Sequence, residues 1–193
     1  MSRDRIFDAA KAILQQEGLA GLTMRKVAGR SGLSPMAIYR HFADKDALID
    51  ALMADGFAAW EARVRAIAAD DPMDWLRTLI EVFLDFALND PHRFDAAFFL
   101  PAPAARQYPE DFTAGRSPAV ALIMARIDQA RAAGRFDATP SVDIVLSLSA
   151  TAQGLASMHR ARRFPDDARF SALFRATMAR ALTAFKPVAG DSA

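Results

Sequence analysis

The chain has 193 residues, a formal net charge of +1 at pH 7, and hydrophobic side chains at 52% of its positions. It contains no cysteine, which excludes disulfides, cysteine-ligated zinc and cysteine catalysis. The N-terminus lacks the continuous apolar segment of a signal peptide, and no uncharged apolar run is long enough to span a bilayer. We therefore expect a cytoplasmic protein without a membrane partner.

The first part of the chain predicts three short helices and the start of a long one. Apolar residues recur at helical spacing between Ile6 and Leu14, which predicts the first helix there. We expect a second helix over 24–30, a third over 35–42 and a fourth from 44 to about 68. Residues preferred at helix ends separate them: Gly18, Gly21, Thr23, Gly32, Ser34, Pro35 and Asp44.

The remainder of the chain also predicts only helices. Pairs such as Asp71-Pro72 and Ser117-Pro118 mark helix starts, because proline suits the first helical position. The expected helices are 72–90, 91–99, 118–134, 140–162 and 167–186. Residues 101–116, with three prolines and a glycine, predict a loop, and the residues after Pro187 are expected to fray. No stretch alternates with a period of two, so we predict an all-α fold.

The second and third predicted helices, joined through Ser31-Gly32-Leu33, have the spacing of a helix-turn-helix. Ile38 and Phe42 are four residues apart and share the inner face of the third helix. The residues left facing outwards are Pro35, Met36, Ala37, Tyr39, Arg40 and His41. A helix that inserts its first turn into the major groove presents such positions to base edges. We therefore predict a three-helix DNA-binding domain over residues 1–46.

A local excess of positive charge accompanies this motif. Residues 23–45 hold one acidic side chain, Asp44, and five basic ones: Arg25, Lys26, Arg30, Arg40 and Lys45. A net charge of +4 on this stretch of a near-neutral chain attracts a polyanion. The ordinary alternative is a solvated helix face, which the charge alone does not exclude.

The stretch LTMRKVAGRSGLSPMAIYRHFADKDALIDAL resembles the DNA-binding segment of TetR-type transcriptional regulators. The resemblance covers about residues 5–55 and rests on residue types that agree at fixed spacing: Thr23, Arg25, Val27, Ala28, Gly32, Leu33, Ser34, Ile38, Tyr39, His41, Phe42, Lys45 and Leu48. It implies a homodimer, a palindromic operator in double-stranded DNA, and a C-terminal helical domain that binds an inducer.

The resemblance also implies roles for single side chains. Phosphate contacts are expected from Thr23, Arg25, Ser34, Tyr39, His41 and Lys45. Base contacts are expected from Met36, Ala37 and Arg40, and Pro35 completes the DNA-binding set. Many family members carry a small or hydroxyl residue where Met36 and Ala37 stand. Here these two side chains suit a thymine methyl group, whereas Arg40 suits guanine.

For two of these residues the alternative is local packing. Tyr39 would then be a rim aromatic on the domain's own surface, and His41 would stack on Phe42. The agreement of the whole motif favours phosphate contacts for both side chains.

Residues 47–193 are expected to form a ligand-binding and dimerisation domain. Aromatic and methionine side chains at helical spacing are usually core, but together they also suggest a cavity for an apolar or aromatic effector. The residues chosen for this pocket are Phe98, Phe99, Tyr108, Met124, Gln153 and Met158. Further polar candidates to orient a ligand are Asn89, His92 and His159.

The helix predicted over 140–162 is rich in small residues: Ser147, Ser149, Ala150, Ala152, Gly154 and Ala156. Small residues let helices approach closely, which suits a dimer interface. The resemblance assigns the last two long helices to that interface. The alternative is that the small residues fit the core of a single chain.

No motif in the sequence predicts catalysis. Glu81 and Asp85 share a helix face, but no histidine lies at metal-ligand spacing from them, and no phosphate loop or nucleophile elbow is present. We expect no enzyme activity, metal or cofactor. The interpretation is a one-component DNA-binding transcriptional regulator, a repressor relieved by an apolar or aromatic small molecule. The alternative is a helical protein–protein adaptor, which would lack strongly salt-dependent DNA binding.

Overall fold

A computed structural model describes residues 2–187 of the chain. Within this range the chain forms helices and no strand, which confirms the all-α prediction. The helices are α1 (Ser2–Gly21), α2 (Met24–Ser31), α3 (Pro35–Tyr39), α4 (Lys45–Arg65), α5 (Pro72–Asn89), α6 (Pro91–Phe98), α7 (Glu110–Thr113), α8 (Pro118–Ala132), α9 (Ser141–Arg160) and α10 (Asp167–Thr183). The fraying expected for residues 188–193 lies outside the described residues.

Some helices end earlier than predicted because their last turn tightens. α3 ends at Tyr39 and α10 at Thr183, each three residues before the predicted end. In both cases a backbone N–H beyond the helix bonds to a carbonyl three residues back. His41 donates to Ile38 at 2.9 Å, and Lys186 donates to Thr183 at 3.2 Å. Such i→i+3 bonds belong to a narrower turn that satisfies the last carbonyls of a helix.

The prediction of a loop over residues 101–116 is wrong for Glu110–Thr113, which form α7. The backbone N–H of Thr113 donates to the carbonyl of Pro109 at 2.9 Å. Two acidic residues, Glu110 and Asp111, occupy the first turn, where negative charge is favourable. Acidic residues directly after a proline are the sequence signal for this helix start, and a count of prolines obscures it.

Predicted caps fix the starts of the helices around the DNA-binding motif. The side chains of Thr23, Ser34 and Asp44 each accept the backbone N–H three residues further on, at 3.3, 3.2 and 2.7 Å. These bonds confirm the predicted helix starts. Each cap of this kind stabilises a helix by about 1 kcal/mol.

The chain divides into two compact units that alternate along the sequence. The first unit extends to Phe57 and also includes His92–Ala105. Its core is formed by α1, α2, α3 and the start of α4, and its fully buried apolar side chains include Ile6, Leu22, Val27, Ile38, Leu48 and Leu52. The functional division into residues 1–46 and 47–193 stays a prediction.

The second unit contains Ala58–Pro91 and the described residues from Arg106 onwards. Aromatic side chains join its helices. Trp60, near the end of α4, stacks on Phe86 with ring centroids 6.0 Å apart, and Phe83 of α5 stacks on Phe174 of α10 at 5.9 Å. None of the described helices combines the length and the apolar character that a membrane span requires.

Candidate nucleic-acid interface

The turn between α2 and α3 is fixed by a glycine and by an arginine from α1. Gly32 has a φ of 65°, in the left-handed region that favours glycine. The guanidinium of Arg5 donates to the carbonyls of Ser31 and Gly32 at the end of α2. A Cβ on Gly32 would lie 2.9 Å from an Arg5 nitrogen. The helix-turn-helix geometry therefore depends on glycine at this position.

α3 has one buried face and one exposed face, as predicted. Ile38 is fully buried, and Phe42, just beyond the helix, stacks on Phe7 of α1 with ring centroids 5.9 Å apart. On the other face Met36 is 68% exposed and Tyr39 is 51% exposed. The predicted outer residues thus remain available to a partner, except that Ala37 is half-buried.

Thr23 and Ser34 lie at the starts of α2 and α3, where each uses its hydroxyl oxygen as a cap acceptor. A hydroxyl that accepts a backbone N–H still has its own hydrogen to donate. Both residues are exposed. The capping role is therefore compatible with the predicted donation to a phosphate oxygen.

The basic side chains of the motif fall into two groups. Lys26 pairs with Glu17 of α1, and Arg30 donates to the side-chain oxygen of Gln16 at 3.0 Å. Arg25 and Arg40 are exposed and make no hydrogen bond or ion pair with the described residues. The positive charge most available to an external anion is thus that of Arg25 and Arg40, both in the predicted DNA-binding set.

Lys45 has an internal partner that the sequence did not reveal. Its ammonium donates to the backbone carbonyl of Leu19, near the end of α1, at 3.0 Å. Lys45 is half-buried at the first position of α4. An ammonium carries three N–H donors, so this bond uses one of the three.

Tyr39 and His41 are the two residues for which local packing is the alternative to a phosphate contact. The His41 ring lies 6.4 Å from the Phe42 ring at an interplanar angle of 43°, which is a tilted contact and not a stack. His41 remains exposed, and so does half of Tyr39. Both side chains therefore remain accessible to an external partner.

The residues predicted for a ligand pocket belong to both units. Phe98 and Phe99 surround Phe94 in the first unit, with ring centroids 5.0 and 5.8 Å from it. In the second unit Tyr108 stacks on Phe112 at 3.7 Å. Burial raises the pKa of the Tyr108 phenol, and a hydrogen bond with Ser149 of α9 partly opposes this shift.

The other pocket candidates differ in exposure. Met124 on α8 and Gln153 on α9 are half-buried, whereas Met158 on α9 is 48% exposed. His159, a further polar candidate, bonds to Asp167 at 2.9 Å and stacks on Phe170 at 4.1 Å. His159 therefore joins α9 to α10 within the second unit.

The sequence interpretation missed a contact between α4 and α6 in the first unit. A Cβ on Gly56 of α4 would lie 2.5 Å from the carbonyl oxygen of Arg93 and 2.7 Å from the backbone nitrogen of Ala97. Next to it, Asp55 accepts from Arg93 at 2.9 Å and from Lys11 of α1 at 3.5 Å. A glycine inside a long predicted helix was the available signal for this close approach.

A helix-turn-helix with an exposed second helix, in a chain whose other residues form a larger helical unit, is typical of one-component transcriptional regulators. Comparison with known protein families supports this class along most of the chain. Residues 6–52 match the family described as "Bacterial regulatory proteins, tetR family", and residues 76–181 match "Tetracyclin repressor-like, C-terminal domain". The chain belongs to the tetR family of bacterial regulatory proteins, which confirms the resemblance.

Individual relatives share part of the chain. The transcriptional regulator BetI of Stenotrophomonas maltophilia is 33% identical over 82 residues, which are 41% of this chain and 42% of BetI. The repressor Rv1474c of Mycobacterium tuberculosis is 35% identical over 99 residues, 46% of this chain and 52% of Rv1474c. The chain thus spans less than half of BetI.

A solved structure extends the likeness to nearly the whole fold. The SmeT–triclosan complex superposes with a TM-score of 0.70 at 22% identity and covers 97% of this chain and 93% of SmeT.

Proposed function

We propose that the chain is a homodimeric repressor that binds a palindromic operator and is released from it by an apolar or aromatic small molecule. The observation that carries the proposal is the outer face of α3, where Met36 and Tyr39 are exposed beside a fully buried Ile38. Membership of a family of bacterial regulatory proteins supports it. So does the description of the relative Rv1474c as a repressor.

In this proposal the DNA-binding residues have two tasks. The hydroxyls of Thr23, Ser34 and Tyr39, the imidazole of His41 and the cations of Arg25 and Lys45 bind phosphates and fix the register on the duplex. Met36, Ala37 and Arg40 read bases, with Pro35 at the first turn of α3. The free guanidinium of Arg40 suits the O6 and N7 acceptors of guanine, and the exposed Met36 side chain suits a thymine methyl.

The small-molecule site is proposed among the aromatic and methionine side chains of the C-terminal part. The candidates remain Phe98, Phe99, Tyr108, Met124, Gln153 and Met158. The half-buried rings of Phe98 and Phe99 and the Tyr108–Phe112 stack support an apolar or aromatic ligand. The likeness to SmeT, whose structure is named as a complex with triclosan, supports a small-molecule effector.

The dimer interface is proposed on α9 and α10. Exposed residues recur at helical spacing along α9 at Ser147, Ala150, Gly154 and Ser157, and along α10 at Ala172, Ala176, Ala179 and Thr183. Large exposed apolar side chains accompany them at Leu146 and Leu173. Exposed apolar surface on two packed helices favours a protein partner.

The small residues of α9 fall into two groups, which correspond to the two alternatives that the sequence left open, the core of a single chain and a dimer interface. Ala152 and Ala156 are buried in the core of the single chain. Gly154 is exposed, and a Cβ added to it would meet no atom within 4 Å. None of the described residues requires glycine at that position, whereas a closely packed second copy would.

Release from the operator is proposed to proceed through α4. This helix runs from the first unit into the second, and in the first unit Gly56 and Asp55 tie it to α6. A ligand that shifts α4 would change the separation of the two α3 helices. They would then no longer fit successive major grooves about 34–36 Å apart. The ligand must bind the released state more tightly for this shift to occur.

The proposal assigns the protein to the cytoplasm, where operators are accessible, and gives it no catalytic role. The testing experiment is selection of bound fragments from random DNA by the purified protein at moderate salt. Recovery of a palindrome with half-sites about one helical turn apart is expected. A folded protein that enriches no sequence, with and without candidate apolar ligands, would refute operator binding. The alternative of a helical protein–protein adaptor would then be the preferred interpretation.

A further inference from the structure

Arg3, in the first turn of α1, lies over two aromatic rings. Its guanidinium carbon is 5.2 Å from the centroid of Phe7 and 5.9 Å from the centroid of Phe42. The two rings stack on each other at 5.9 Å, and both residues are buried. Arg3 itself is exposed and forms no hydrogen bond or ion pair with the described residues. A buried aromatic platform thus holds a guanidinium that forms no salt bridge with the described residues, although its charge acts on the neighbouring carboxylate of Asp4.

The platform lies directly beside the proposed DNA contacts. Phe42 follows His41 in the chain, and the His41 ring packs against the Phe42 ring at 6.4 Å. The guanidinium of Arg3 and the imidazole of His41 therefore contact the same side chain. His41 is itself a proposed phosphate contact, so Arg3 adds a second N–H donor group to this part of the surface.

Stacking leaves the guanidinium able to bind an anion. An arginine that presents its face to an aromatic ring keeps the N–H donors on its edge, and their fork geometry matches a phosphate. Less side-chain freedom is lost on binding when the group is already held in place.

Lys11 provides a contrast on the same ring. Its ammonium lies 5.7 Å from the Phe7 centroid, but it also pairs with Asp55. Lys11 thus has a salt-bridge partner within the unit, whereas Arg3 forms no salt bridge with the described residues.

We propose that Arg3 is a further phosphate contact of the DNA-binding unit, held by Phe7 and Phe42 so that its N–H edge meets the DNA backbone beside the phosphate bound by His41. This inference rests on the proposed operator binding. It extends the interface from the helix-turn-helix to the start of α1. The contact carries no sequence information, since phosphates are the same at every step of the duplex.

The test replaces Arg3 by methionine and measures operator affinity over a range of salt concentrations. Methionine keeps a flexible apolar cover over both rings and removes the charge, so the fold is preserved while the phosphate contact is lost. Arg77→Met is the matched control, because Arg77 is an exposed arginine of α5 that pairs with Asp74 in the second unit. Both variants change the net charge equally, and circular dichroism checks that both are folded.

For Arg3→Met we expect affinity to fall by about tenfold or more on every operator variant, since hydrogen bonds between charged groups are the stronger class. We also expect the slope of log affinity against log salt to become shallower by about two, close to one unit for each subunit of the dimer. Arg77→Met should leave both quantities unchanged.

An unchanged slope overturns the inference even if affinity falls, because a purely structural role of Arg3 would not alter the number of ions released. An equal change of slope in Arg77→Met also overturns it, since the effect would then reflect net charge alone. The wild-type protein is measured before the variants. If it binds no operator, the proposed operator binding is refuted, and this outcome is distinct from a failure of the Arg3 contact.

Discussion

A single methyl group on Gly56 tests whether the close approach of α4 and α6 is part of the fold. In Gly56→Ala the new Cβ would lie 2.5 Å from the carbonyl oxygen of Arg93, 2.7 Å from the nitrogen of Ala97 and 3.1 Å from its Cα. All three atoms belong to the backbone of α6. No side-chain rotation can relieve the contact, so α6 must move or the strain must persist.

The size of the effect follows from two opposing terms. Restoring an ordinary contact of 3.4 Å at the Arg93 oxygen requires a shift of about 1 Å, which would also stretch the 2.9 Å bond from Arg93 to Asp55. Overpacking of this kind destabilises by about 1–3 kcal/mol. Replacing a helical glycine by alanine stabilises by about 1 kcal/mol. The difference between the two terms predicts a net loss of about 0–2 kcal/mol in the free energy of unfolding.

The assay is urea unfolding followed by circular dichroism at a fixed protomer concentration. The matched control is Gly29→Ala in α2, where an added Cβ meets no atom within 4 Å. That variant should gain about 0.5–1 kcal/mol, because only the glycine entropy changes. If Gly56→Ala gained as much as Gly29→Ala, the tight α4–α6 contact would be refuted.

Three further predictions address recognition, assembly and stability. Arg40→Ala should lose about 1–3 kcal/mol of operator affinity at one base position only, measured by competition with variants of the selected site, and a uniform loss would instead indicate a phosphate contact. Gly154→Ala should leave the single chain unstrained but raise the dimer dissociation constant in analytical ultracentrifugation, and an unchanged constant would exclude Gly154 from a close interface. Arg131→Met should lower the free energy of unfolding by about 1–3 kcal/mol, because Arg131 donates to the carbonyls of Asp137 and Thr139 in the α8–α9 loop. An unfolding midpoint at the same denaturant concentration as the wild type would contradict this.

Local signals predicted the helix-turn-helix well because its geometry is set by neighbours in sequence. Thr23 and Ser34 cap the helices that they were expected to cap, and Ile38 is fully buried as its spacing required. Capping and helical periodicity act over three or four residues. The sequence itself therefore contains the physical cause of these features.

Hydrogen-bond and ion-pair partners that are distant in the sequence could not be predicted from local patterns. Lys45 bonds to the carbonyl of Leu19, Lys26 pairs with Glu17 and Arg30 donates to Gln16, so three of the five basic residues of the motif have partners on α1. A charge count cannot separate them from Arg25 and Arg40, because exposure and pairing depend on how α1 packs across the motif. The same limit applies to Met158, whose helical spacing did not distinguish a pocket wall from an exposed face.

Three glycines inside helices show what local sequence patterns cannot predict. Gly29, Gly56 and Gly154 give the same signal in the sequence, a residue that weakens the helix that contains it. Gly56 has a reason within the chain, since the backbone of α6 occupies the space of its missing Cβ. At the other two, an added Cβ would meet no atom within 4 Å among residues 2–187. A glycine that weakens its helix and has no neighbour at its missing Cβ is either tolerated there or allows a partner to approach closely. For Gly154, which lies among exposed small residues on the proposed dimer face, the partner would be a second copy of the chain.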